Sequence, residues 1–160
     1  MVHENIAAAT YFGLERMDET PYNVLFYNMG GEDTEVTIAR YQIITNDKEK
    51  EIEHIEILGE GYDASLGGAV FDDVLVAMLA ERFNALKERE GKADVRENTR
   101  AVKRLYKEAS KVKEVLSANK VMQVKIPELL DYATLDTMLH RTDFEERCEH
   151  LLTRVAAPVE

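Results

Sequence analysis

The groups in this sequence that could take part in chemistry fall in two places. The first is Val24-Leu25-Phe26-Tyr27-Asn28-Met29-Gly30-Gly31, a run of strand-forming residues ending in paired glycines. Adjacent glycines leave successive backbone N–H groups unobstructed, so they can point into one concavity and hold phosphate oxygens. The same pair also suits a plain hairpin turn that needs positive φ angles. The second place is Ser110 to Ser117. On a helix, Ser110, Lys113, Glu114 and Ser117 fall at offsets of 0, 3, 4 and 7 and form one stripe. A ligand-contacting face and the polar border of a core face look alike at this level.

Other constellations carry little. His3, His54, His140 and His150 are scattered, and Cys148 and His150, two residues apart, do not share a helical face. No metal site is expected from them. Gly-x-Ser-x-Gly, Walker-type and His-Glu-x-x-His motifs do not occur. The carboxylates between Asp47 and Glu56 read as solvated surface.

The elements that must position these residues divide into an early sheet and a later helical region. Residues 5–14 read as a short helix. Residues 22–29, 34–44 and 51–59 are rich in Val, Ile, Tyr, Phe and Thr or alternate, and read as three antiparallel strands. From Phe71, apolar residues recur at Val74, Leu75, Met78, Leu79, Phe83 and Leu86 with helical spacing, and Glu90-Gly91-Lys92 is the expected end of that helix. A second long helix, about 95–119, places Val102, Leu105, Ala109, Val112 and Leu116 on one stripe. Short strands follow at 121–126 and 132–138, around Pro127. Thr142-x-x-Glu145 reads as a capping box opening a last helix. The division between the two regions is expected near 61/62, giving parts 1–61 and 62–160.

The chain has 160 residues, 45% of them hydrophobic and 32% charged, as suits a globular protein with a real core. Its net charge of −11 argues against a nucleic-acid partner. Basic residues nevertheless gather on one helix, at Lys103, Arg104, Lys107, Lys111 and Lys113. The single cysteine, Cys148, can form no internal disulfide. No apolar run reaches the ~18 residues of a membrane span. The first residues, Met1 to Asn5, lack the basic and apolar regions of a signal peptide, which could instead lie upstream if the chain is a piece of a longer one.

In order and spacing, the Gly30-Gly31 tip, the Leu66-Gly67-Gly68 turn followed by Phe71-Asp72, and the helix running from Asn98-x-Arg100-Ala101-Val102 to Lys113-x-x-x-Ser117 resemble the heat-shock-70 (DnaK-type) chaperones. The similarity is to the second lobe of their ATPase domain and covers essentially the whole chain. It implies an α/β, actin-like (ribonuclease H-like) ATPase fold, here a lobe II fragment that is α+β in isolation. The expected parts are a three-stranded antiparallel sheet portion and a helix-rich small subdomain. It implies that Gly30 and Gly31 belong to a phosphate loop, and that Lys113 and Ser117 grip the adenosine of ATP or ADP held with magnesium in the full-length protein. The turn Asp63-Ala64-Ser65-Leu66-Gly67-Gly68 is implied to serve packing and hinge roles.

The sequence departs from the family pattern at both places. Asn28 stands where the family has an aspartate near the magnesium, Glu32 replaces a third glycine, Asp33 a threonine, and Glu35 a second aspartate. Ser110 and Glu114 replace a glutamate and an arginine, and losing the guanidinium removes a stacking partner for the base. The family's first phosphate loop, catalytic lysine, last adenosine loop and substrate-binding domain lie outside the chain. No catalytic residue, no metal ligand and no tightly bound nucleotide are therefore expected on these residues alone. Asp94-Val95-Arg96-Glu97-Asn98, Val115-Leu116-Ser117-Ala118-Asn119 and Phe26 to Gly30 are similar to the large glucose-regulated, hypoxia-up-regulated branch of the endoplasmic reticulum. That branch implies exchange of nucleotide on another heat-shock-70 chaperone, holding of unfolded clients, and the reticulum lumen, with the cytoplasm as the alternative compartment. A conventional ATP-hydrolysing chaperone and an unrelated acidic interaction domain remain the alternative functions.

Overall fold

Alternating side chains over residues 22–45 bury one face, and that face needs a cover. In the computed structural model, which describes residues 2–14 and 16–160, a short helix supplies it. Helix α1 (Glu4–Gly13) precedes strands β1 (Tyr22–Met29), β2 (Thr34–Thr45) and β3 (Glu51–Asp63), which pair antiparallel in the order β1-β2-β3. Its Ala9 packs with Ala39 and Tyr41 at the centre of a small core, ringed by Phe12, Tyr22, Val24, Phe26 and Ile55. The Tyr41 hydroxyl is satisfied by donating to the Ala9 carbonyl at 2.7 Å, and its ring stacks on Tyr22 at 5.3 Å. Gly13 is required there, because a Cβ would come within 2.8 Å of the Tyr41 ring.

Strand β3 runs four residues past the expected end at Gly59. Gly59 and Gly61 stay in the ladder opposite Ile38 and Val36, after a register shift at Ile38/Ala39. Gly61 is there for a close approach, since a Cβ would overlap the Pro158 carbonyl of the returning C-terminal segment.

The later region holds α2 (Gly68–Asn84), α3 (Thr99–Ala118), the hairpin β4 (Val121–Leu130) and β5 (Ala133–His140), then α4 (Arg141–Arg147) and α5 (Glu149–Leu152). Leu75, Leu79 and Phe83 of α2 meet Leu105 and Val112 of α3 and Val124, Leu135 and Leu139 of the hairpin in one large core. Helix α2 buries Val76 and Ala80 as well, so its covered face is wider than the expected stripe.

Several element ends differ from the sequence expectation. Helix α2 stops at Asn84 and not near Gly91. The Asn84 side-chain oxygen accepts from the Val95 N–H at 3.0 Å, and the chain between forms a 3₁₀ turn (Lys87–Arg89) before Gly91 at φ +71°. Helix α3 starts at Thr99, with the Asn98 side chain accepting from the Ala101 N–H at 2.9 Å, after a separate 3₁₀ turn at Val95–Glu97. The strands at 121–126 and 132–138 extend to 121–130 and 133–140. The capping box at Thr142 does not form. The β5 strand runs to His140 and α4 begins directly at Arg141, so Thr142 already lies inside the first turn and Glu145 takes the Arg141 guanidinium instead. The last helix is also divided at Cys148.

Two compact units result: residues up to Gly68 together with Arg154–Glu160, and Ala69–Thr153. The contact boundary thus lies at Gly68/Ala69 where 61/62 was expected, and the last residues join the first unit. Arg154 explains their return: its guanidinium meets Asp63 at 2.7 Å and Ser65 at 2.7 Å. Tyr27 adds a hydrogen bond to the Val155 carbonyl at 2.8 Å.

Candidate functional site

The β1–β2 ladder ends at Asn28↔Glu35 and Met29↔Thr34, which sets Gly30-Gly31-Glu32-Asp33 at the tip. The Gly30 N–H closes the hairpin on the Asp33 carbonyl at 2.8 Å, and the Gly30 carbonyl accepts from Gly68 N–H at 2.9 Å. Among the described residues, Gly91 is the glycine with positive φ, so neither tip glycine serves turn handedness. The tip is pinned from the side by the Leu66-Gly67-Gly68 turn. A Cβ on Gly67 would lie 2.5 Å from the Glu32 backbone, and buried Thr34 donates to the Leu66 carbonyl at 2.6 Å. Gly31 is open, with nothing within 4 Å of an added Cβ.

Carboxylates surround this tip. Asp33 accepts from the Tyr62 hydroxyl at 3.1 Å, a bond that raises the Tyr62 phenol above its ordinary value. Asn28 donates to the Glu4 carboxylate at 3.0 Å. Sequence reasoning did not single out Glu4 as a site residue; a 24-residue separation leaves no local signal, and only the packing of α1 on the sheet brings the two together. Among the described residues no three His, Cys, Asp or Glu side chains converge to hold a metal ion.

In the second unit, α3 presents Ser110, Lys113, Glu114 and Ser117 on a face that is exposed or half-buried. Lys113 pairs with Asp72 of α2 at 2.9 Å. Ser117 donates to the Glu114 carbonyl at 2.6 Å. Both line a cavity of about 220 Å³ together with Phe71, Arg141, Phe144 and Cys148. Arg141 reaches the Ser117 carbonyl at 3.2 Å and the Glu145 carboxylate at 2.7 Å. Burial pushes the Cys148 thiol up to about 11, so it stays protonated at neutral pH. The cavity is flanked by the Phe71 and Phe144 rings, the Ser117 hydroxyl, the two cations and the Glu145 carboxylate. The tip and the α3 face fall in different units, so the structure brings Lys113 and Ser117 together, and Gly30 and Gly31 together.

The turn at 63–68 holds the first unit's return segment. Hydrogen bonding to Arg154, then to the Ser65 N–H, keeps the Asp63 carboxyl below the usual carboxylate range.

An actin-like ATPase lobe combines these elements: a glycine hairpin on an antiparallel sheet, followed by a helix-rich subdomain presenting a polar helix face. The model of the family described as Hsp70 protein matches residues 1–160, and the chain belongs to that family. This removes the reading as an unrelated acidic domain. Among curated relatives, Hypoxia up-regulated protein 1 of Xenopus laevis is 37% identical over 163 residues, which cover 100% of this chain and 25% of the relative. The Homo sapiens protein of that name is 35% identical over 163 residues, and the Gallus gallus one 33% over 167, each match covering 100% of this chain and 16% of the relative. The chain thus spans a quarter or less of the length of these relatives.

Proposed function

We propose that this chain is part of the nucleotide-binding domain of a large Hsp70-type chaperone of the endoplasmic reticulum. In this reading the full-length protein binds ATP largely as a structural ligand. Its main output is nucleotide release from a conventional partner chaperone, alongside the holding of unfolded clients. Members of the family bind ATP or ADP with magnesium and bind unfolded chains. Gly30 and Gly31 at the tip, and Lys113 and Ser117 on α3, are the groups that would hold the phosphates and the adenosine. The nucleotide would supply the charge and the binding energy that favour one conformation of the whole domain. The Asp94 to Asn98 match and the names of the relatives support the reticulum branch.

The observation that carries this reading is the tip. With Asn28 turned to Glu4 and Asp33 to Tyr62, the groups standing where the family has an aspartate near the magnesium and a threonine are engaged elsewhere, and Glu32 adds negative charge. Phosphoryl transfer depends on positioned charge stabilisation, so slow hydrolysis fits this arrangement better than rapid turnover. An exchange factor must bind the partner's open-cleft state more tightly than its closed one. Release of fluorescent ADP from a conventional Hsp70 chaperone should therefore accelerate when the full-length protein is added. An unchanged rate at saturation would remove the exchange assignment. The α3 basic face is a candidate contact. Arg104 is unsuitable for testing it, because its guanidinium donates to the Pro127 and Glu128 carbonyls at 2.6 Å each. Lys103 and Lys107 are exposed and can be reversed.

A further inference from the structure

The hairpin between β4 and β5 concentrates strained backbone at a solvent-facing tip. Glu128, Asp131 and Tyr132 have φ of 46°, 50° and 63°, three of the four non-glycine residues with positive φ among the described residues. Leu130 pairs with Ala133, so Asp131-Tyr132 is a two-residue loop with both central φ positive, a turn that favours Asn-Gly. Aspartate tolerates this conformation, but a tyrosine does so only under strain. Tyr132 is also 92% exposed, so no packing of its ring offsets that strain.

The tip is held from both sides. The Arg89 side chain, 1% exposed, pairs with Asp131, donates to the Ala93 carbonyl and lies over the Phe83 ring at 5.1 Å. Arg104 fixes the carbonyls of Pro127 and Glu128, and the Glu128 N–H donates to Thr134 at 3.1 Å. A rigid loop that spends backbone strain to present a bare aromatic ring is arranged for contact. The held backbone loses little freedom on binding, and strain of this kind collects at functional positions. On the α3 face bearing Arg104, Arg100, Lys103 and Lys107 are exposed, a cationic stripe on a chain of net charge −11.

We propose that Tyr132 anchors a protein–protein contact, its ring entering an apolar pocket rimmed by carboxylates on a folded partner, with Arg100, Lys103 and Lys107 facing the rim. The identity of the partner rests on the exchange reading above; the contact chemistry rests on the tip. The test uses the full-length protein with a conventional Hsp70 chaperone, reading both affinity and ADP release. Tyr132→Gly relieves the turn while deleting the ring. It should raise the melting temperature and weaken association about ten-fold or more. Tyr132→Phe should bind within about three-fold of wild type, because the ring body carries the contact. Reversing Lys103 and Lys107 to Glu should slow association and reduce its salt dependence. Wild-type affinity in Tyr132→Gly, with release still accelerated, overturns the tip contact and leaves the exchange reading standing. A lowered melting temperature in Tyr132→Gly also overturns it, by showing that the ring serves the fold. If the wild-type protein neither binds nor accelerates release, the exchange reading and this contact fall together.

Discussion

Gly31, Gly61 and Gly67 share a residue type and differ in what surrounds them. A Cβ at Gly61 would overlap the Pro158 carbonyl and one at Gly67 the Glu32 backbone, whereas at Gly31 it would meet nothing within 4 Å. Gly61→Ala and Gly67→Ala should each destabilise by about 1–3 kcal/mol, because backbone atoms must shift. Gly31→Ala should stay within about 0.5 kcal/mol. Urea unfolding of the three variants checks this contrast. A second residue-scale outcome concerns acid. The Asp94 carboxyl is lowered to about 2, chiefly by the Arg96 guanidinium and then by the Arg96 N–H. A depressed acid favours the folded state above its unfolded value of about 3.9, and the contribution disappears as pH falls towards about 2. Asp94→Asn keeps a capping oxygen but loses the charge. Its melting temperature should lie below wild type at about pH 6 and converge with it near about pH 2. At this scale the paired glycines at the tip were legible in the sequence. Their surroundings were not, since the Gly67 contact and the Glu4 partner of Asn28 come from segments far apart in the chain.

Among the elements, α3 was the clearest in the sequence, because one buried stripe at helical spacing (Leu105, Ala109, Val112, Leu116) leaves few alternatives. Its start was misplaced because a separate 3₁₀ turn at Val95–Glu97 precedes it and Asn98 caps the true helix. Helix α2 was read too long for a related reason. Gly91 looked like a terminator, yet the Asn84 side chain had already left the helical pattern to reach Val95. Asn98→Ala should cost about 1 kcal/mol by removing a real cap. Thr142→Ala should stay within about 0.5 kcal/mol, because no side-chain cap forms at that helix start. Leu105→Ala, at a fully buried core position, should cost about 2–5 kcal/mol. Thermal melts of the three rank them directly. Equal effects of Asn98→Ala and Thr142→Ala would contradict the observed caps.

At the scale of the whole molecule the two cores are unequal. The second unit gathers a continuous cluster from α2, α3 and the β4–β5 hairpin, while the first has Ala9, Ala39 and Tyr41 at its centre and partly buried neighbours around them. Backbone amides of β1 and β2 should therefore exchange with deuterium faster than those of α2 and α3; the reverse order would contradict this. The sequence carried the division into sheet and helix regions through its change of period. It did not carry the return of residues 154–160, which depends on the Arg154–Asp63 pair across 91 positions. In the proposed function this chain supplies only one side of a nucleotide site, with Gly30, Gly31, Lys113 and Ser117 meeting groups from elsewhere in the full-length protein. Calorimetry with magnesium-ATP tests it most directly. We expect measurable binding by the full-length protein and none by the 160-residue chain at micromolar concentrations, since a chain of net charge −11 repels a polyanion that has no opposing lobe to enclose it. Micromolar affinity in the isolated chain would contradict it.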